Sequence, residues 1–178
     1  MKINYKLTNS DFLEYQLFTS SKSELHKKRR RNNRFIGPIV MLLYGLYTIK
    51  KDGNFIGIII SGILAVLWFL LYPIYSKSRY ERHFKKHIKE NYKNRINIPG
   101  EIDFDRNSIN VKDVTSESKI NGAELKELIE TPNHFFIKMT TDLSLIIPKH
   151  SIDNKAEFKK NVTELGAEYV DQLNWKWK

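Results

Sequence analysis

Two histidines four residues apart are the clearest candidate metal ligands in the chain. His83 and His87 lie in a stretch with helical periodicity, where this spacing places two imidazoles on one helix face. Glu81 and Glu90 are close in sequence, but the residues read His-Phe-Lys-Lys-His rather than HExxH, and no third ligand is evident. Lysines and arginines surround the pair and disfavour a divalent cation. We therefore predict no metal site, and histidines that face solvent or lipid headgroups.

The other groups that could act as acid, base or nucleophile are isolated. His134 and His150 lie near predicted strand ends with no recognisable catalytic motif beside them, so we interpret both as surface histidines. Lys149 follows Pro148 and could face an acidic ligand, although a solvated side chain is the simpler interpretation. There is no cysteine and no GxGxxG, GxxxxGK[ST] or GxSxG motif. We therefore predict no catalytic residue, no cofactor and no enzymatic activity.

Cations are the most numerous candidate binding residues, and they flank two apolar runs. Those before the first run are Lys27, Lys28, Arg29, Arg30, Arg31 and Arg34. Those after the second run are Lys77, Arg79, Arg82, Lys85, Lys86 and Lys89. Such clusters can bind nucleic acid, but here no aromatic residue separates the cations of the first cluster and both clusters adjoin apolar sequence. We therefore predict topology determinants that contact anionic headgroups, with the lipid bilayer as partner and no nucleic acid.

The charge distribution supports the same interpretation. The formal charge of the 178 residues is +10, but residues 27–99 alone carry +13, whereas residues 1–26 carry 0 and residues 100–178 carry −3. The excess of cations therefore lies beside the apolar runs. A basic collar of this kind is attracted to an anionic leaflet by about 1 kcal/mol per cation.

The second apolar run is the stronger transmembrane signal. Phe55–Ser76 is 22 residues long without a charge, enough for a helix to cross the roughly 30 Å hydrocarbon core. The residues small enough to let a partner helix approach are Ser61, Gly62 and Ala65. Aromatic residues typical of a membrane interface follow at Trp68, Tyr72 and Tyr75. We predict a membrane-spanning helix here.

The first run is shorter. Phe35–Ile49 has 15 uncharged residues, fewer than the roughly 17–25 that usually span a bilayer. The stems of Arg34 and Lys50 could extend it, because long cationic side chains reach back to the interface. A buried core helix is the alternative. We predict a transmembrane hairpin over residues 35–76, closed by the short loop Lys50–Asn54.

Flanking charge predicts the orientation. Six cations lie on each outer flank against two in the connecting loop. By the positive-inside rule both termini face the cytoplasm, in a multi-pass protein of the inner or plasma membrane. The apolar sequence begins too late for a cleaved leader, so we expect the first run to be retained as a signal anchor.

Residues 1–34 and 77–99 should form elements on either side of the hairpin. Met1–Leu7 alternates apolar and polar residues, as a strand does, and must join a sheet formed elsewhere. Thr8 and Asp11 resemble a capping box that starts an amphipathic helix leading into the basic cluster. After the second run, apolar side chains recur every four residues in a basic helix, at Tyr80, Phe84, Ile88 and Tyr92. Pro99 and Gly100 are predicted to end it at the domain boundary.

Residues 100–178 predict a small cytoplasmic α+β domain. His134–Met139 and Leu143–Ile147 are its best strands, joined by a turn at Thr140–Asp142, and Thr115–Ile120 is a poor, polar strand candidate. Asn121 and Gly122 indicate either a turn or a helix start. A closing helix follows, capped by Ser151 or Asp153, with buried residues Phe158, Val162 and Leu165, and ended by Gly166. The terminal Trp175 and Trp177 suit either a membrane interface or one more strand.

This order of elements resembles the YcxB-like family of bacterial membrane proteins. The segments that carry the resemblance are LIET, HFFIKM, LSLIIPKHSI and EFKKNV, in which Ile147-Pro148-Lys149 precedes the closing helix. The resemblance implies a C-terminal domain with a pleckstrin-homology-like (PH-like) fold, a bent antiparallel sheet with one helix capping an open end. It implies no reaction and no catalytic residues.

We therefore expect an α+β membrane protein: a two-helix hairpin, a PH-like β domain, and an N-terminal strand joining its sheet. Its function would be non-enzymatic, displaying the domain at the cytoplasmic face to bind a protein, a peptide or headgroups. The alternative is a small membrane enzyme or accessory subunit, which predicts a pocket with converging ionisable groups in the C-terminal domain. An oligomeric channel is a third hypothesis, disfavoured by spans without charges.

Overall fold

The computed structural model describes residues 1–53, 55–114 and 116–177, which form an α+β protein. Its helices are α1 (Asn9–Lys22), α2 (Glu24–Asp52), α3 (Ile56–Asn91) and α4 (Lys155–Glu164). Its strands are β1 (Lys2–Lys6), β2 (Pro99–Phe104), β3 (Ser108–Asp113), β4 (Glu117–Asn121), β5 (Leu125–Glu130), β6 (His134–Met139), β7 (Ser144–Pro148) and β8 (Glu168–Asp171). The predicted loop residue Asn54, the predicted strand residue Thr115 and Lys178 lie outside the described residues.

The chain divides into two compact units. The first, which we call the β unit, comprises Met1–Gln16 and Lys85–Lys176. The second, the helical unit, comprises Leu17–Phe84 together with Trp177. Each is described separately below.

Two four-stranded sheets form the β unit. The first has the order β1-β2-β3-β4 and is antiparallel throughout, with Ile3 opposite Ile102 and Ile109 opposite Ile120. The second has the order β7-β6-β5-β8, in which β8 is parallel to β5 and the other pairs are antiparallel. The prediction that the N-terminal strand joins a C-terminal sheet is confirmed.

The core of the β unit lies between these elements. Its buried apolar residues are Ile3, Ile102, Ile109, Ile120, Leu125, Leu128, Phe135, Ile137, Ile147, Ile152, Phe158, Val162 and Ala167. Helix α4 contributes Phe158 and Val162, as its spacing predicted, and Phe158 contacts the Phe135 ring at 5.0 Å between centroids. The helix is followed by Gly166 in a conformation with φ +118°, which favours glycine.

Several predicted boundaries in the β unit are wrong. Helix α4 is capped by Asn154, whose side chain accepts a hydrogen bond from the Glu157 N–H, and not by Ser151 or Asp153. Pro99 and Gly100 open β2 rather than ending the basic helix, because α3 ends at Asn91. Of the two interpretations of Asn121 and Gly122, the turn is the correct one, because they lead through a short turn into strand β5.

The predicted hairpin of the β unit is confirmed, and the chain's last strand is new. Strand β6 coincides with the predicted residues, and the turn before β7 contains Asp142 at φ 62°, a conformation that aspartate tolerates. Strand β8 was missed. It ends at Asp171, so neither Trp175 nor Trp177 extends it.

Helices α2 and α3 dominate the helical unit. Ser23 separates α1 from α2, so the N-terminal helix does not continue into the first apolar run. Helix α2 extends through Lys50 and Lys51, which were predicted as loop, and is capped after Asp52 by Gly53 with φ 63°. Both basic clusters lie on these helices. The first precedes the apolar run of α2, and the second follows the apolar run of α3.

Small residues let α2 and α3 approach closely. A Cβ atom at Gly45 would lie 3.0 Å from the Ile58 Cα, and one at Gly37 would lie 2.6 Å from the Trp68 Nε1. Ser61 and Ala65 are buried, as their size predicted. Gly62 is different, because a Cβ there would meet no atom within 4 Å, so it does not take part in this packing.

One helix in the described part of the chain, α3, is long and apolar enough to cross a membrane. Its most apolar 18-residue window has a mean hydropathy of 2.3, and 17% of that window is buried. Helix α2, which carries the first apolar run, does not meet the same criterion. The second crossing therefore stays a prediction.

Candidate functional site

The predicted basic residues divide between two cavities and the open surface of the helices. Cations from the first turns of α2 and from α3 line the cavities, together with aromatic residues. The predicted residues that line neither cavity and are exposed are Lys28, Lys77, Arg82, Lys85, Lys86 and Lys89.

The first cavity, which we call the basic pocket, belongs to the helical unit and has a volume of about 360 Å³. It is lined by Lys27, Arg30, Arg31, Arg34, Phe35, Tyr72, Pro73, Ser76 and Trp177. Four of these are cations and none is acidic. The sequence analysis identified the four cations and Tyr72. It left Trp177 open between a membrane interface and a strand, and it gave no role to Ser76, which has no charge pattern to mark it.

A proline explains how Arg34 is held. Pro73 has no N–H, so the carbonyl of Phe69, four residues earlier in α3, lacks its usual helical donor. The Arg34 Nε donates a hydrogen bond to that carbonyl at 3.2 Å, and its guanidinium carbon lies 4.0 Å from the Phe69 ring centroid. The contact therefore fixes the arginine and supplies a donor to a partly buried carbonyl at once.

Arg30 is held at the end of α1. Its two terminal nitrogens donate to the carbonyls of Ser20 and Ser21, at 3.3 and 3.4 Å. These carbonyls lie in the last turn of a helix, where helical partners run out. The Arg30 guanidinium carbon also lies 4.7 Å from the centroid of the Trp177 ring, within cation–π distance.

Two buried donors in the basic pocket have no acceptor. Ser76 is 3% exposed and its hydroxyl has no hydrogen-bond partner, and the buried Trp177 Nε1 also has none. Among the described residues, no carboxylate lies within 4.0 Å of Arg30, Arg31 or Arg34. The pocket is therefore rich in donors and positive charge and poor in acceptors.

A second cavity of about 300 Å³ shares part of this wall. It is lined by His26, Arg29, Arg30, Asn33, Tyr72, Tyr75, Ser76, Arg79, Tyr80 and His83. Burial lowers the pKa of His26, and the neighbouring Arg29 and Arg30 lower it further. The third predicted aromatic residue, Trp68, donates its indole N–H to the Asn33 carbonyl at 3.3 Å.

The predicted histidine pair does not form a joint site. His83 lines this second cavity of the helical unit, whereas the His87 ring lies 3.0 Å from the Asn91 amide nitrogen. Within the described residues, no group of three or more His, Cys, Asp or Glu side chains is placed to hold a metal ion.

In the β unit, His134 is not the surface residue that was expected. It is 3% exposed, with its Nε2 2.8 Å from the Asp11 carboxylate and its Nδ1 3.2 Å from that of Glu14. Burial alone would lower the His134 pKa, but the two carboxylates outweigh it and raise the pKa from 6.5 to about 9. The imidazole is therefore cationic at neutral pH and unsuited to act as a base.

The two carboxylates are held by the predicted capping box. The Asp11 carboxylate accepts hydrogen bonds from the Thr8 N–H and hydroxyl, both at 2.7 Å, at the start of α1. Burial would raise the pKa of Asp11 and of Glu14, but hydrogen bonding to His134 and their other partners lowers both. The start of α1 is thus tied to β6 by a buried ionic cluster.

Lys149 is likewise not solvated, contrary to the expectation. Its Nζ lies 2.7 Å from Glu130, and both side chains are nearly buried. Lys159 and the Tyr169 hydroxyl also contact the Glu130 carboxylate, at 3.0 and 2.7 Å. Burial would raise the Glu130 pKa, but these donors lower it from 4.5 to about 2. Glu130 therefore joins β5, α4 and β8.

A cavity of about 480 Å³ lies beside the His134 cluster, within the β unit. It is lined by Thr8, Ser10, Asp11, Glu14, Pro132, Asn133, His134, Lys149, His150 and Lys155. The ionisable groups thus converge on one pocket, as the alternative function required. However, four of them are already paired: Asp11 and Glu14 with His134, and Lys149 with Glu130.

Part of the β unit matches a known protein family. Residues 104–161 match the family model described as YcxB-like protein. This stretch, which we call the YcxB-like segment, is similar to that family. The resemblance expected from the sequence is thus confirmed over these residues. Searches of curated proteins and of solved structures found no significant match.

The YcxB-like segment supplies only part of each buried ionic cluster. It contains Glu130, His134 and Lys149, and it runs from the end of β2 into α4. Asp11 and Glu14 come from α1, outside the matched residues. The helical unit and its basic pocket also lie outside the YcxB-like segment.

Proposed function

We propose that the chain is a non-enzymatic, integral membrane protein with two crossings, which displays a PH-like interaction domain, the β unit, at the cytoplasmic face. Its partners there would be a protein, a peptide or lipid headgroups. The mechanism is tethering: the hairpin keeps the domain at the membrane surface and raises its local concentration.

The exposed apolar surface of the helical unit carries this proposal. In the apolar runs of α2 and α3, most of the large apolar side chains are 36–70% exposed, whereas Gly37 and Gly45 face the partner helix. A helix buried in the core of a soluble domain would show the reverse. Examples from both helices are Ile39, Val40, Leu43, Leu46, Ile59, Ile63, Val66, Leu70 and Ile74. Lipid is the solvent in which such a surface is stable.

The cations support the orientation. Twelve flank the apolar runs on their outer sides and two lie at the α2–α3 turn, so the positive-inside rule places the turn outside. For the β unit, the support for a PH-like fold is its antiparallel strands around one core, with α4 contributing Phe158 and Val162 to it.

Cysteine labelling tests the topology cleanly because the chain contains no cysteine. We would place Lys51→Cys at the turn and Lys119→Cys on β4, one per protein, and treat intact cells with a membrane-impermeant maleimide. The proposal expects labelling of Lys51→Cys in intact cells and of Lys119→Cys only after permeabilisation. Equal labelling at both positions, or release of the chain from membranes by alkaline carbonate, would refute it.

A membrane enzyme or accessory subunit is the second candidate, favoured by the 480 Å³ cavity with converging ionisable groups. Two observations weigh against it. His134 is already protonated, and Lys149 is paired with Glu130, so neither side chain is available to accept a proton from a substrate. Exposed His150 would be the remaining candidate base.

A further inference from the structure

We propose that the basic pocket binds the phosphate group of an anionic phospholipid. The proposal rests on the membrane insertion proposed above and adds a defined site with a defined ligand class. It differs from general attraction to a charged surface because it depends on particular donors rather than on net charge.

The hydrogen-bonding inventory of the pocket calls for a ligand made of acceptors. Four cations line it, and one of them, Lys27, is paired with Glu24 at 2.8 Å. The Ser76 hydroxyl and the Trp177 indole N–H are buried there without an acceptor. Leaving buried donors unpaired is costly, and the described residues of the wall provide no carboxylate to pair them or the three arginines. A phosphate carries negative charge and several acceptor oxygens, and arginine binds it through parallel hydrogen bonds.

Two of the arginines are already in place before a ligand arrives. Arg30 and Arg34 are each anchored through backbone carbonyls and stacked on an aromatic ring. Arg31 has no such anchor and is exposed, so it can adjust to the ligand. Groups that are ordered in advance lose less entropy on binding.

The apolar part of the wall indicates a lipid rather than a free phosphate. Phe35, Tyr72 and Pro73 line the pocket beside the cations, where the first apolar run begins and the second ends. An acyl chain leaving the pocket would continue along the exposed apolar faces of α2 and α3. The volume of about 360 Å³ is within the range of small-molecule sites, and basic pockets between membrane helices are typical headgroup sites.

Binding to the full-length chain in a neutral detergent tests the proposal. The probes are short-chain phosphatidylglycerol, short-chain phosphatidylcholine and glycerol 3-phosphate, with affinities measured by calorimetry. The variants are Arg31→Gln and Ser76→Ala, and their matched controls are Arg82→Gln and Ser78→Ala, exposed positions on α3 outside the pocket. Each pair removes the same charge or the same hydroxyl.

We expect phosphatidylglycerol to bind about tenfold more tightly than phosphatidylcholine. Its glycerol group is uncharged, whereas the choline cation of phosphatidylcholine compensates the phosphate charge. Arg31→Gln should weaken binding by about tenfold and Ser76→Ala by about fivefold, with both controls within about twofold of the parent. Ser76→Ala should not lower the thermal stability, because in the empty protein its hydroxyl has no partner to lose.

Other results would overturn the assignment. Equal losses for Arg31→Gln and Arg82→Gln would mean diffuse attraction without a site, and glycerol 3-phosphate binding as tightly as the lipid would mean a soluble anion instead. Labelling of Lys51→Cys and Lys119→Cys separates the two proposals. If it gives the expected topology and these affinities do not change as stated, only the pocket proposal fails.

Discussion

The two units of the chain place apolar and charged residues in opposite ways. In the β unit, bulky apolar side chains fill the core, and the buried charges at His134 and Glu130 are each paired with opposite charge. In the helical unit, small residues lie between the helices and apolar side chains face outward. Three arginines line the basic pocket there, and its described lining residues include no carboxylate.

This contrast separates structural charges from available ones. A buried charge that is fully paired, such as Glu130 with two lysines and a tyrosine, contributes to the fold and has little left to offer a ligand. A cluster of cations beside unpartnered donors is not explained by the fold. The ionic clusters of the β unit therefore maintain its fold, whereas the donors of the basic pocket are those for which we propose a ligand.

The strongest test removes the cation from the paired cluster. His134→Ala leaves Asp11 and Glu14 as neighbouring, partly buried carboxylates, so we expect the β unit to lose about 3 kcal/mol of stability. The loss of stability can be measured by hydrogen exchange of the full chain, on peptides that cover β6 and β7. The amides of these strands should exchange faster in His134→Ala than in the parent. His150→Ala, a nearby exposed position, is the matched control and should cost little.

A rescue variant makes that result specific. Adding Asp11→Asn and Glu14→Gln to His134→Ala removes the unpaired charges, so part of the lost protection should return. If His134→Ala leaves exchange unchanged, the cluster does not stabilise the β unit, and the contrast between the two units fails.

The pH dependence of stability should follow the raised pKa of His134. A folded-state pKa of about 9 against 6.5 means that the protonated ring stabilises the fold fully below pH 6.5, and that this contribution disappears as pH rises through 9. The whole contribution corresponds to about 3 kcal/mol. The measurement is urea unfolding of the full chain at pH 6 to 10, with proteolytic cleavage within the β unit as the readout. The free energy of unfolding should fall with rising pH in the parent and change less with pH in His134→Gln.

On the acid side, the same cluster predicts the opposite slope. The pKa values of Asp11 and Glu14 are lowered in the folded state, so their contribution is present above their usual pKa values and is lost as the pH falls. Stability from the cluster should therefore be greatest between about pH 5 and 6.5. A stability that kept rising from pH 6.5 to 9 would contradict the assignment of a cationic His134.

Local patterns allowed the helical unit and part of the β unit to be predicted. Hydropathy and flanking charge gave α2, α3 and the cations of the basic pocket, since each signal lies within a few turns of sequence. Alternation gave β1, the apolar segment HFFIKM gave β6, and the spacing of Thr8 and Asp11 gave the start of α1. What these patterns share is that the interacting residues are near one another in the chain.

The remaining features depend on contacts between distant residues. His134 is buried because α1, more than 100 residues earlier, brings Asp11 and Glu14 to it. Strand β5 has apolar residues at Leu125, Leu128 and Ile129, a spacing that also suits a helix, and only pairing with β6 and β8 decides for a strand. Trp177 reaches the basic pocket by a path that its local sequence does not indicate.

The smallest expected effect concerns the close approach of α2 and α3. Gly45→Ala puts a Cβ atom 3.0 Å from Ile58 and Ser61, whereas Gly62→Ala on α3 places one in open space. Both changes raise helix propensity alike, so their difference reports packing, and we expect Gly45→Ala to be less stable by about 1 kcal/mol. The measurement is SDS-induced unfolding followed by fluorescence of Trp68, with Trp175 and Trp177 replaced by phenylalanine in both proteins. Equal stabilities would mean that small residues do not hold this helix pair together, and the contrast with the bulky core of the β unit would lose its basis.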